Sequence, residues 1–192
     1  MTCRATVEHL TCEACSLHQF RTQVVPGHGS IDARIALVGE APGKDEDMEG
    51  HPFVGRAGQL LDELLERAGI DQATIWRDNV VHCRPPNNAI REYPDAVSRC
   101  PDLWLKPTLA GLQNLRAVVT LGATAGQLWF SGKRAGEIAV LARAVCMQGP
   151  RAIRIVGSYH PAYALREGPW VSDSIVASLS RALIYSQLGG LT

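Results

Sequence analysis

The sequence predicts an α/β fold: three layers, α/β/α, around a central, mainly parallel sheet of four strands. Three observations carry this. Strand signals recur at residues 35–38, an apolar run, within 75–82, at 116–122, which is rich in β-branched residues, and at 153–158. Helical stripes or helix-start signals separate them, and strands that alternate with helices feed a parallel sheet covered on both faces. The third is the long connection after the first run, residues 39–61, GEAPGKDEDMEGHPFVGRAGQLL. Such links lie at the carboxyl ends of strands, where open α/β sheets bind ligands, and a long one is more often functional than idle.

The N-terminal segment carries Cys3 and then the pair Cys12 and Cys15. Two cysteines at this spacing suit a metal or cluster, a redox dithiol, or two buried thiols, and no strand precedes them as a thioredoxin-like motif would want. Residues 16–33, with Pro26, Gly27 and Gly29, read as irregular connection. In the long loop, glycines permit turns and Pro42 and Pro52 stiffen the path. Its glycine spacing fits neither a P-loop nor a dinucleotide fingerprint, and its acids, from Glu40 to Glu49, oppose a phosphate cradle.

A helix follows from about Gly55, with Leu60, Leu61, Leu64, Leu65 and Ala68 as its apolar stripe and Gly69 at its end. The second strand delivers Asn79 and then Cys83, and Pro85-Pro86 must leave the sheet. A helix from about Pro94 carries Cys100; a short one covers residues 123–130; residues 131–151 give no clear pattern. The fourth strand ends at Tyr159-His160-Pro161, and a terminal helix spans about residues 171–188. Glu40, Asn79 and His160 thus stand at the carboxyl ends of three predicted strands, which places them on one rim. Taken one at a time, each has an ordinary reading: a solvated loop acid, a turn asparagine, a capping histidine.

At 192 residues, 46% hydrophobic and 20% charged, the chain reads as a single globular domain, residues 1–192. The first 25 residues hold no signal-peptide core, and no run of 18 apolar residues could span a bilayer, which predicts a cytoplasmic protein with no membrane partner. Net charge is zero, but residues 1–79 carry 7 Lys+Arg against 13 Asp+Glu and the remainder 12 against 6. The basic half suits a DNA-facing surface; scattered solvated arginines are the plainer alternative.

Four motifs, GEAPG at 39–43, PFVGRAGQLL at 52–61, NVVHCRPP at 79–86 and HPAY at 160–163, together with four cysteines, resemble the family 4 uracil-DNA glycosylases, the iron-sulfur type. The resemblance spans about residues 10–166 in the family's order. It implies a uracil-DNA glycosylase-like fold and a monofunctional enzyme that hydrolyses the N-glycosidic bond of uracil in single- or double-stranded DNA. The expected product is an abasic site, and the expected state a monomer. It also implies a [4Fe-4S] cluster on Cys12, Cys15, Cys83 and Cys100, although four thiolates equally suit a structural zinc. Cys3 and Cys146 stay unassigned.

The resemblance assigns roles along the same motifs. Phe53 would stack on a flipped uracil, and Asn79 would read its N3-H and O4 edge. His160 would donate to O2 as the bond breaks. Gly39, Glu40 and Ala41 would shape the base pocket. Ala41 stands where better-known glycosylases place a water-activating aspartate, so Glu46 is the favoured carboxylate, with Glu40 second. Leu165 would enter the gap left by the flipped base and Arg166 would approach phosphates. Departures fall at His82, where Lys is commoner, at Gly43, where some relatives place a tyrosine that excludes thymine, and in residues 87–99 and 131–151. They leave open a different modified pyrimidine as substrate, or capture of uracil-DNA without turnover. The latter lacks the histidine-bearing basic loop that a related trapping group uses.

Overall fold

The computed structural model of the chain describes residues 6–146 and 152–188. Six strands form one sheet: β1 (His28–Gly29), β2 (Ile35–Gly39), β3 (Ile75–Asn79), β4 (Ala117–Leu121), β5 (Ala142–Cys146) and β6 (Ala152–Ser158), in the order β1-β3-β2-β4-β6-β5. The four predicted strands are the parallel middle, β3-β2-β4-β6. The prediction of only four strands is corrected by two antiparallel edges, β1 on β3 and β5 on β6. Strand β1 is two residues long and offers no side-chain period to read. Strand β5 lies in the segment 131–151 that gave no pattern; residues 147–151 of that segment, and Cys3, lie outside the described residues.

The helices are α1 (Val7–Leu10), α2 (Lys44–Glu49), α3 (Arg56–Arg67), α4 (Pro94–Cys100), α5 (Lys106–Gly111), α6 (Ala123–Gln127), α7 (Ala135–Ile138), α8 (Pro161–Glu167) and α9 (Pro169–Gln187). A wider π turn, Pro101–Leu105, joins α4 to α5, because Pro101 cannot donate to the ladder. The supposed irregular stretch 16–33 contains a 3-10 turn, Ser16–Gln19, besides β1.

Strand β2 shows why the parallel strands read as unbroken apolar runs. Ala36 and Val38 pack into one core with Val118, Leu105 and Leu109, while Ile35 and Leu37 pack into another with Leu61, Leu64, Val119 and Ile175. Both faces of the sheet are covered at β2, and all five of its residues are apolar and buried. No helix among the described residues is long and apolar enough to cross a membrane.

Candidate active site

Strands β2 and β4 are neighbours from which the chain winds outward in opposite directions, to β3 on one side and β6 on the other. The crevice beyond their carboxyl ends is the switch point of the fold. The ends of β3, β2, β4 and β6 therefore set Asn79, Gly39, Gly122 and His160 side by side along one rim. A cavity of about 560 Å³ lies there, with Glu40, Ala41, Glu46, Phe53, Asn79 and His160 on its walls.

Backbone shape sets the walls. A Cβ at Gly39 would stand 2.5 Å from Asn79 Oδ1 and 2.7 Å from Phe53 Cζ, so only glycine lets the amide and the ring converge over the end of β2. Phe53 itself adopts φ 62°, a conformation that a non-glycine residue holds only when its surroundings impose it. Its carbonyl would lie 1.9 Å from a Cβ at Gly58, so the first turn of α3 is cut away to seat it.

The two candidate acids are held differently. Glu46 Oε1 accepts from the N–H of Val54 (3.1 Å) and Gly55 (2.9 Å), and Oε2 from Gly43 N–H (2.9 Å). It ties both ends of the long loop together. A carboxylate offers about four acceptor positions, so these three bonds leave about one to spare on a residue that lines the cavity. Its Oε2 would lie 2.6 Å from a Cβ at Gly43, which means that the carboxylate fills the space a side chain there would take. Glu40 Oε2 instead accepts from the hydroxyl of Thr124, at the start of α6. Thr124 escaped the sequence reading; only its place just past the end of β4 could have marked it.

Asp47, read from sequence as one more loop acid, is 3% exposed. It accepts from Thr22 N–H at 3.0 Å and Gln23 N–H at 3.4 Å, which anchors the segment before β1 to α2.

His160 caps α8, and its Nδ1 accepts from the N–H of Ala162 at 3.1 Å. An accepting Nδ1 leaves the proton on Nε2, so the ring presents a donor. Burial, and next the Arg166 cation, push its pKa down to about 4, so the imidazole is neutral through the physiological range. Gly122, at φ 93°, brings the chain against the His160 Cβ, 3.2 Å from where a glycine Cβ would stand. Leu165 is 45% exposed on α8. Arg166 turns back onto its own helix, donating to Ala162 O at 3.0 Å with its guanidinium 5.7 Å from the Tyr163 ring centre.

A second region lies on the other side of β3. Cys12, Cys15, Cys83 and Cys100, all free thiols, line one narrow cleft with His9, Arg21 and Trp104. The N-terminal segment reaches it through Ser16, whose N–H and hydroxyl donate to Asp95 at 2.8 and 3.1 Å, and through Arg99, which donates to Ala14 O at 2.9 Å. Burial raises the pKa of the Cys83 thiol to about 11 and pushes those of Cys15 and Cys100 up as well. Arg21 Nη1 stands 3.5 Å from Cys83 Sγ. Among the described residues no group of three or more His, Cys, Asp or Glu is set to hold a metal ion.

A buried chain of polar groups joins the two regions. Asp78 Oδ1 accepts from Asn79 N–H at 2.8 Å and pairs with His82 Nε2 at 2.8 Å, and its Oδ2 accepts from the Trp76 indole at 3.1 Å. With His82 Nε2 facing acceptors, His82 Nδ1 takes the Nε2–H of His9 at 2.7 Å. The ring of His9 stacks on Trp104, 4.2 Å centre to centre. The sequence showed His82 only as a departure; its partners are distant in the chain and left no signal.

Asn79, Phe53 and His160 thus share the wall of one cavity at the switch point of an open α/β sheet, with the Phe53 and His160 rings 6.5 Å apart. The family model described as Uracil DNA glycosylase superfamily matches residues 26–180. The chain is 41% identical to the Type-4 uracil-DNA glycosylase of Thermotoga maritima, covering 81% of this chain and 78% of that one. It is 36% identical to the protein of the same name from Archaeoglobus fulgidus (82% and 80%) and 37% identical to that of Pyrobaculum aerophilum (81% and 80%). The chain belongs to the type-4 uracil-DNA glycosylase family.

Proposed function

We propose that the chain is a monofunctional glycosylase that removes uracil from single- or double-stranded DNA by hydrolysing its N-glycosidic bond, leaving an abasic site for base excision repair. The observation that carries this is the placement of Asn79, Phe53 and a neutral, Nε2-protonated His160 on the wall of one cavity. A flipped uracil stacks on Phe53, and Asn79 accepts from N3-H while donating to O4. Cytosine presents the opposite pattern and is refused.

As the bond breaks, the departing base gathers negative charge on O2. A neutral donor held in a partly dry wall stabilises that charge more in the transition state than before it. The spare acceptor position of Glu46 holds the attacking water on the sugar side. Glu40, with Gly39 and Ala41, shapes the pocket edge, and Leu165 fills the gap in the stack.

Cys12, Cys15, Cys83 and Cys100 would hold a [4Fe-4S] cluster. A zinc ion draws four sulfurs to about 2.3 Å from one point. An iron-sulfur cube takes one thiolate at each corner, which suits four thiols spread around a cleft. Held by all four cysteines, such a group would serve as a structural tie between the N-terminal segment, the loop after β3 and α4. We take residues 1–192 to be one domain acting as a monomer in the cytoplasm.

The test is incubation with labelled oligonucleotides carrying uracil, thymine or a 5-modified uracil, read for free base and abasic sites. Release of uracil well above thymine is expected. Binding without release on every substrate would overturn the enzymatic reading, and preferential release of the modified base would replace uracil as the substrate.

A further inference from the structure

Just outside the pocket, three aromatic rings continue its wall to the surface. Tyr163 lines the cavity together with Arg166. Its ring lies 5.5 Å from that of Tyr159, and Trp170 meets both nearly edge to face, 6.3 Å from Tyr163 at 89° and 5.7 Å from Tyr159 at 81°. The tyrosines are half-buried and packed on the core that also holds Phe53, so they give the indole a fixed support. Trp170 itself is 54% exposed. It sits in the first turn of α9, after Gly168 at φ 88°, and Pro169 beside it narrows the backbone freedom further.

A single exposed apolar residue needs no explanation. This one differs because its supporting ring is part of the base pocket. A large aromatic surface held rigid at the mouth of a nucleotide site, beside an arginine and within the basic part of the chain, has the makings of a stacking platform for single-stranded DNA.

Resting on the glycosylase reading, we infer that Trp170, supported by Tyr159 and Tyr163, stacks on the unpaired base next to the flipped uracil. It forms a second base subsite and draws the enzyme to uracil in single strands. Its occupant is a neighbouring nucleobase of the same DNA strand, because the platform is continuous with the pocket through Tyr163. Trp170 touches no reacting atom, so its contribution is to substrate binding.

The test compares the full chain and Trp170→Ala on three single-stranded oligonucleotides with one uracil each. One has normal bases on both sides, one an abasic spacer on the 5′ side, one an abasic spacer on the 3′ side. On the first, Trp170→Ala is expected to raise KM about 5- to 150-fold, the range spanned by loss of one base–aromatic stack, with the saturated single-turnover rate unchanged. Trp170→Phe should recover most of the loss. On one of the two spacer substrates, wild type and Trp170→Ala should bind alike, since the stacking partner is gone. Equal losses on all three, or none on the first, would overturn the platform. If the wild type released no uracil from the first substrate, the enzymatic reading would fail instead; equilibrium binding of the same three oligonucleotides would then decide the platform by the same pattern.

Discussion

The base pocket and the thiol cleft flank the same strand end, and they are built on opposite principles. The pocket is roomy, with polar groups set among apolar walls, and its groups are aimed by backbone: Gly39 and Gly58 yield space, while Glu46 is fixed by three N–H groups. The cleft is narrow, and burial pushes up the pKa of the Cys15, Cys83 and Cys100 thiols. Asn79 and Cys83, four residues apart at the exit of β3, face these two environments, and the Asp78–His82–His9 chain lies between them. One site needs aim with room for a substrate; the other needs closure around a group that never leaves. If that division is right, damage to the cleft should unfold the protein, whereas damage to the pocket should spare the fold and stop the chemistry.

The largest effect expected is at the cleft. Protein prepared without oxygen should be brown, with roughly four iron and four sulfide per chain, and Cys12→Ala should lose both together with cooperative thermal unfolding. A colourless wild type containing zinc would reverse the metal assignment and weaken the contrast. Next is the pocket, where His160→Ala should lower the single-turnover rate about 10²- to 10³-fold while circular dichroism and DNA affinity stay near wild type. An unchanged rate would remove His160 from the chemistry.

Asn79→Asp should shift specificity more than stability. A protonated aspartate offers cytosine N3 a donor and its amino group an acceptor, so uracil release should fall and some cytosine release appear. Asp47 sharpens the comparison from the other side, since it is an acid in the pocket loop whose work is structural. Asp47→Ala strands the N–H groups of Thr22 and Gln23 and should cost about 1–3 kcal/mol in denaturant unfolding, with little change in the rate for the protein that remains folded.

A further effect is in pH. His160 is neutral in the fold with a pKa near 4, below the ordinary value of 6.5, so the unfolded chain binds the extra proton between those values. Its contribution to stability is complete above 6.5 and is lost as pH falls toward 4. His160→Gln should therefore lose less stability than wild type across that interval. Equal losses would show that the ring is not kept neutral by its surroundings.

Legibility differed between the regions for a related reason. The rim could be read because β2, buried on both faces, is apolar without interruption and β4 nearly so, and polar residues at the carboxyl ends of the strands stand out. Asn79 and His160 did so, and the doubly wound order then had to bring them together. Glu46 was preferred to Glu40 only through the resemblance, because one loop with five acids gives by itself no hint of which will meet backbone N–H groups. The edge strands β1 and β5 were missed since each is held by its neighbour's backbone more than by a pattern of its own.

By itself the sequence determined the four parallel strands, their connections, and the residues delivered to the carboxyl rim, because these follow from hydrophobic period and chain direction. It also determined the four cysteines, although their gathering into one cleft was implied only by resemblance. The tertiary structure alone decided which acid is buried, which nitrogen of His160 carries the proton, and that His82 reaches His9, 73 residues away. It alone decided that Trp170 stands on two tyrosines at the pocket mouth. Each of these depends on a contact between segments distant in the chain, and such contacts exist only once the sheet has been wound and its loops have closed on one another.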